Sequence, residues 1–117
     1  MKAIILFAHG ARDPAWAEPL RRMREAILAL DPGARVELAF LELMRPTLDE
    51  AVAALADAGE IVIVPAFVAA GSHLKRDLPR LAAAAMDRHP GLEIRIAPPL
   101  GDSDGVIEAI AAFALRQ

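Results

Sequence analysis

Two stretches of this chain, Lys2 to Ala8 and Glu60 to Phe67, are apolar almost without interruption. A strand with one wet face alternates polar and apolar residues, so an unbroken apolar run fits a strand covered on both faces, as in the middle of a parallel sheet. Two other short segments, Arg35 to Leu41 and Leu92 to Ala97, do alternate. Val36, Leu38 and Phe40 are interleaved with Glu37 and Ala39, and Leu92, Ile94 and Ile96 with Glu93 and Arg95. These read as half-covered strands nearer the sheet edges.

Four longer segments separate and follow these strands, giving a βαβαβαβα pattern with recognisable helix boundaries. Asp13 then Pro14 reads as an N-cap and first helical residue, Asp31-Pro32-Gly33 closes that helix, and Pro19 delays or kinks its start. Pro46 starts the second helix and Gly59 ends it. The third is expected from near Asp77-Leu78-Pro79 until just before Pro90-Gly91, and the fourth from Asp104 to Leu115. Right-handed crossovers then favour one flavodoxin-like α/β domain over residues 1–117, a four-stranded parallel sheet of order 2-1-3-4 flanked by helices. Of the apolar residues 26 are alanine, and the 39 larger ones, a third of the 117-residue chain, suffice for a single core.

A formal net charge of -3 argues against a general nucleic-acid binder. No cysteine is present, which excludes a disulfide framework, a thiolate nucleophile and any cysteine-based zinc or iron-sulfur site. Metal chemistry must use histidine and carboxylates. The longest apolar stretch, Ile61 to Ala70, contains Pro65 and falls short of the roughly 18 residues of a membrane span. Ala3 to Ala8 is likewise too short for a signal-peptide core. A cytoplasmic protein with neither nucleic-acid nor membrane partners is expected.

In open α/β sheets ligands bind outside the carboxyl ends of the strands, where the strand order reverses. His9 follows the first strand, Glu42 the second, and His73 is expected in the loop after the third. With neighbouring strands about 4.8 Å apart, the three would lie within reach of one ion. Two imidazoles and a carboxylate suit iron, cobalt, nickel or zinc. A lone histidine after a strand is more often hydrogen-bonded to backbone than a ligand, but two at adjacent exits favour a site. His89, at a helix end, is explained by the last carbonyls and excluded. Gly10 and Gly71 are placed where the chain must turn sharply beside each histidine. Neither belongs to a GxGxxG or P-loop motif. Arg12, Arg45, Lys75 and Arg76 share the rim; a solvated helix start accounts for any one of them, whereas all four point to a ligand bearing carboxylates or phosphates.

The stretches Leu6-Phe7-Ala8-His9-Gly10-Ala11-Arg12-Asp13-Pro14, Phe40-Leu41-Glu42 and Pro65 to Pro79, with its Gly71-Ser72-His73 and Asp77-Leu78-Pro79, resemble the short form of the sirohydrochlorin chelatases of the CbiX and SirB type. The resemblance spans nearly the whole chain. It implies a class II chelatase fold, with His9 and His73 binding the metal and acting on the tetrapyrrole nitrogens and Glu42 assisting. It also implies insertion of Co2+ or Fe2+, with Ni2+ a further candidate, into sirohydrochlorin, the ion being a substrate and no organic cofactor being needed. Arg12, Arg45, Lys75 and Arg76, with Gly71 and Ser72, would then bind the acidic macrocycle. Longer members fuse two such units around the tetrapyrrole, so a homodimer is expected. Ala11 stands where the family often has serine, and Pro98-Pro99-Leu100-Gly101 lacks the His-Pro that often follows.

Histidine suits metal insertion, because an imidazole of pKa about 6.5 is largely neutral near pH 7 and serves as nitrogen ligand or base. Two rival readings differ in chemistry. Histidine phosphatases also carry His-Gly after the first strand, but preceded by arginine, where this chain has Ala8. A non-catalytic metal or tetrapyrrole carrier would keep the ligands without turnover.

Overall fold

The computed structural model describes residues 2–117. Strands β1 (Lys2–Ala8), β2 (Arg35–Phe40), β3 (Glu60–Pro65) and β4 (Glu93–Ile96) alternate with helices α1 (Glu18–Leu30), α2 (Leu48–Leu55), α3 (Ser72–Arg88) and α4 (Asp104–Leu115). The strands form one parallel sheet of order β2-β1-β3-β4. The continuously apolar segments are the two inner strands and the alternating ones the edges, as the patterning predicts.

Right-handed crossovers send helices to both faces. On one face α2 and α3 lie against Ala3, Ile5 and Phe7 of β1 and Ile61 and Ile63 of β3, all five fully buried. On the other, α1 covers Leu6 and Ala8 of β1 and Val36, Leu38 and Phe40 of β2, while Ile4 and Val64 stay partly exposed.

The helix boundaries differ from expectation at three points. Pro19 delays α1, one of the two outcomes expected of it, and does not kink it; what Asp13 caps is a 3-10 turn, Pro14–Ala17, and the α-helix proper starts at Glu18 with Pro19 in its first turn. There its missing N–H costs nothing. The second helix starts after Thr47, with Pro46 outside it. Thr47 Oγ1 accepts the Glu50 N–H at 3.2 Å and the Glu50 carboxylate accepts the Thr47 N–H at 2.9 Å, a reciprocal cap stronger than the proline signal. A 3-10 turn at Ala56–Ala58 then leads to Gly59, whose φ of +83° ends the segment.

The third correction bears on the site. Helix α3 begins at Ser72, ahead of the expected start near Asp77, and Pro79 lies inside it. Leu74 is buried one turn before Leu78 and in line with Ala82 and Ala85, so its burial extends the apolar stripe past the proline. Pro79 removes only a hydrogen bond to the Lys75 carbonyl. His73 therefore stands on the first turn of a helix and not in a loop. The strands also stop short of expectation: β2 ends at Phe40, β3 at Pro65, and β4 spans Glu93–Ile96 without Leu92 or Ala97.

Candidate metal and tetrapyrrole site

Because all four strands run the same way, the segments after them share one rim. The exits of β1 and β2 are joined by backbone bonds: Leu41 N–H donates to the Ala8 carbonyl at 2.9 Å and Glu42 N–H to that of His9 at 3.0 Å. Gly10 makes this approach possible. Its φ is +94°, and a Cβ there would lie 1.9 Å from the Glu42 carbonyl oxygen. The chain then folds on itself at Leu43, with φ +66° and the Met44 N–H bonded to the Glu42 carbonyl at 2.8 Å, a tight γ-turn of the rarer hand. Backbone strain thus collects beside His9.

The exit of β3 is held from another direction. Leu100 N–H donates to the Phe67 carbonyl at 3.0 Å and Gly101 N–H to that of Val68 at 2.8 Å. A Cβ on Gly101 would lie 2.2 Å from the Val68 carbonyl oxygen. Phe67, packed against the core by one side, lies with its ring centroid 5.6 Å from that of His9 at 42°, a tilted contact that limits how the imidazole can turn. Phe67 and Gly101 are positioning residues that the sequence reading missed as such. The only cues were an apolar run continuing past a strand end and a glycine within a turn-rich segment.

Gly71, by contrast, has no unusual backbone. With φ -70° and ψ 164° it caps α3 in a conformation open to any residue, and a Cβ would meet nothing within 4 Å. The expected sharp turn is absent there because the loop 66–71 spreads the change of direction over six residues. Ser72 and His73 follow in the exposed first turn.

His9, Glu42 and His73 all stand exposed on this rim. They do not form the single three-donor cluster expected from strand spacing: among the described residues no three His, Cys, Asp or Glu side chains are grouped to hold one ion. The spacing estimate placed His73 in the loop after β3, whereas it stands on the first turn of α3. The cations also divide. Arg45 forms a two-pronged ion pair with Glu50, whose carboxyl the Arg45 hydrogen bonds, followed by the Thr47 backbone N–H, lower to a pKa of about 2. Arg12, Lys75 and Arg76 are exposed and have no ion pair among the described residues. The first turn of α3 contains no acidic residue, so Lys75 and Arg76 add to the positive end of the helix dipole. Around these charges lie Leu41, Leu43 and Val68, with 39%, 60% and 58% of their surface exposed. The rim therefore offers imidazoles, exposed apolar side chains and cations unpaired among the described residues, groups suited to a borderline divalent ion and an acid-bearing, partly apolar ligand.

The four-stranded parallel sheet with helices on both faces defines an α/β protein whose strand exits share one rim. The CbiX family model matches residues 3–115. This chain belongs to the CbiX family. It is 36% identical over 118 residues to the sirohydrochlorin cobaltochelatase of Saccharolobus solfataricus, covering 94% of this chain and 91% of that protein. It is 39% identical over 83 residues to the sirohydrochlorin cobaltochelatase of Methanopyrus kandleri, spanning 69% of this chain and 58% of that longer relative. The crystal structure of a putative cobalamin biosynthesis CbiX protein from Marinobacter aquaeolei superposes with a TM-score of 0.86 at 31% identity, over 99% of this chain and 93% of that one. The chelatase SirB of Bacillus subtilis subspecies spizizenii, solved with cobalt, gives 0.79 at 28% identity over 95% of this chain. SirB from Bacillus subtilis with Fe3+ gives 0.78 at 26% identity, also over 95%. This chain spans only 48% and 45% of those two SirB chains.

Proposed function

We propose that this chain inserts a divalent metal into sirohydrochlorin, in tetrapyrrole biosynthesis of the cobalamin or siroheme type, acting in the cytoplasm as a homodimer. The observation that carries this reading is the pair of exposed imidazoles, His9 and His73, on the carboxyl rim of a CbiX-family sheet. Cobalt and iron are the favoured ions, since relatives are named for the one and SirB structures contain each; nickel suits the same donors. The ion is a substrate, and no organic cofactor is required.

Insertion exchanges one M2+ for two pyrrole protons: the macrocycle nitrogens take over the metal as both N–H bonds break. His9 and His73 supply the nitrogen lone pairs for the two tasks of holding the ion and receiving protons. Two imidazoles hold an ion less tightly than a closed four-ligand site, so it can depart. Glu42, on the loop clasped to His9, assists either task. The face of the ring lies over Leu41, Leu43 and Val68, and its carboxylates meet Arg12, Lys75, Arg76 and the start of α3 at Gly71 and Ser72. Arg45 contributes least, because Glu50 already neutralises it. An open rim leaves the second face of the ring uncovered, and a second copy would close it much as the other half of the longer SirB chain could.

Incubating the pure protein with sirohydrochlorin and Co2+ or Fe2+ tests the reading. A change in the macrocycle absorption faster than in a no-enzyme control is expected with both ions. Stoichiometric binding of metal or ring without turnover would replace the enzyme by a carrier on the same fold.

A further inference from the structure

Phe67 borders a recess that the rim site does not use. It is a partly open cavity of about 170 Å³ between the exit of β3, the first two turns of α3 and the end of β4. Leu74, Leu78 and Ile96 supply apolar wall, and Pro65, Pro79 and Pro99 continue it without contributing a backbone N–H. A charged group inside would find nothing to replace its water. Among the described residues one charged side chain lines the cavity, that of Lys75, which is exposed and has no ion pair. Its ammonium therefore belongs to the open side.

Size and chemistry together limit what can enter. Sites that enclose a whole ligand measure about 300–1,000 Å³, so this one takes part of a larger molecule. Apolar walls suit methylene groups. The Lys75 cation, beside the start of a helix whose first turn contains no acidic residue, suits an anion at their outer end. Phe67 lines the cavity and also meets the His9 ring, centroid to centroid 5.6 Å, while its carbonyl is held by the Leu100 N–H at 3.0 Å. The cavity thus keeps a fixed separation from His9, one aromatic ring away. A macrocycle with its centre at His9 bears its substituents around its edge, at a similar remove.

We propose that this cavity is a subsite for one propionate arm of the macrocycle: the two methylenes enter between Leu74, Leu78 and Ile96, and the carboxylate stays at the mouth on Lys75. An acetate arm, one methylene shorter, buries less of itself against the same wall. The subsite thereby selects an arm and sets which way round the ring lies at His9. The inference rests on the chelatase reading and deepens it, adding residues of α3 and β4 behind the rim to the recognition of substrate.

The chain has one tryptophan, Trp16, and no tyrosine, so quenching of its fluorescence follows the binding of metal-free sirohydrochlorin without turnover. Ala97→Leu fills the cavity from the end of β4 and Ala70→Leu from the loop 66–71, so either variant decides if circular dichroism shows the other unfolded. Each should raise Kd about fifteenfold, the effect of leaving two methylenes in water. An unchanged Kd in a folded variant overturns the subsite. With the arm excluded, Lys75 loses its partner, so Ala97→Leu/Lys75→Ala should bind hardly more weakly than Ala97→Leu alone. Effects that multiply would show Lys75 acting elsewhere and overturn it as well. Butyrate tests the cavity without the ring: at about 50 mM, the affinity expected of six heavy atoms, it should shift the methyl resonances of Leu74, Leu78 and Ala97, and unmoved resonances overturn the inference. Cavity-filled variants that bind and turn over sirohydrochlorin like the wild type would remove the subsite alone. A wild type that takes up butyrate but no sirohydrochlorin would remove the chelatase reading and the propionate assignment with it, so the two failures are distinguishable.

Discussion

The face of the sheet under α2 and α3 and the rim at the carboxyl ends of the strands are built on opposite terms. On the face, Ile5, Phe7, Ile61 and Ile63 are completely buried, and no polar or charged residue is buried anywhere among the described residues. On the rim, Leu43 is strained and 60% exposed, Gly10 is pressed against a carbonyl oxygen, and three cations stand without partners among the described residues. If the rim residues carry the proposed chemistry, stability and chemistry rest on different residues. Loop residues bear function on a scaffold that needs little from them, and substitutions in the two regions should fail in different ways.

The largest effect is expected from the histidines. His9→Ala and His73→Ala should each reduce metal insertion to the no-enzyme rate through kcat, with the denaturation midpoint nearly unchanged, and Glu42→Gln should be milder. Normal turnover in both histidine variants would sink the assignment of the site. Phe7→Ala is the complementary change: it should cost about 3–5 kcal/mol in urea unfolding, and the folded fraction should keep its KM. If a folded Phe7→Ala protein has lost its affinity, the division between face and rim is wrong.

The two rim glycines separate within the rim itself. Gly10→Ala should cost about 1–3 kcal/mol, because its φ is +94° and the Glu42 carbonyl occupies the place of a Cβ. Gly71→Ala should be neutral or stabilise by up to about 1 kcal/mol. Equal thermal melts for the two variants would contradict the clasp between the β1 and β2 exits.

Smaller effects belong to the cations. An exposed charge contact is worth up to about 1 kcal/mol and is weakened by salt, so Lys75→Ala or Arg76→Ala should raise KM by less than about tenfold, less so at high ionic strength. Arg45→Ala should raise it least. An Arg45 effect exceeding that of Lys75 would show that the ion pair opens for substrate. The smallest effect concerns that pair. The Glu50 pKa, lowered to about 2 from 4.5, means that the folded state favours the charged form. Its stabilisation is complete above about pH 4.5 and is lost as pH falls toward about 2. Glu50→Gln keeps an acceptor for the Thr47 N–H and should flatten this part of the stability curve. The pair is exposed, so the change should be small and disappear in salt; a large change at high salt would contradict this assignment.

Period and punctuation in the chain were enough for the strand order, the inner and edge strands, the limits of α4 and the rim positions of His9 and Glu42. Those properties depend on local patterning: burial on both faces demands continuous apolar residues, and a parallel sheet places every strand exit on one side. Contacts between distant segments decided the rest. Leu74 had to find the core before α3 could extend back to Ser72 and lift His73 onto a helix. Glu50 had to reach across to Arg45 before one expected substrate cation was neutralised. Gly101 had to meet Val68 before the turn ahead of α4 was tied to the exit of β3. Each of these depends on which groups the folded chain brings within a few ångströms, a quantity that neither propensity nor spacing along the sequence contains.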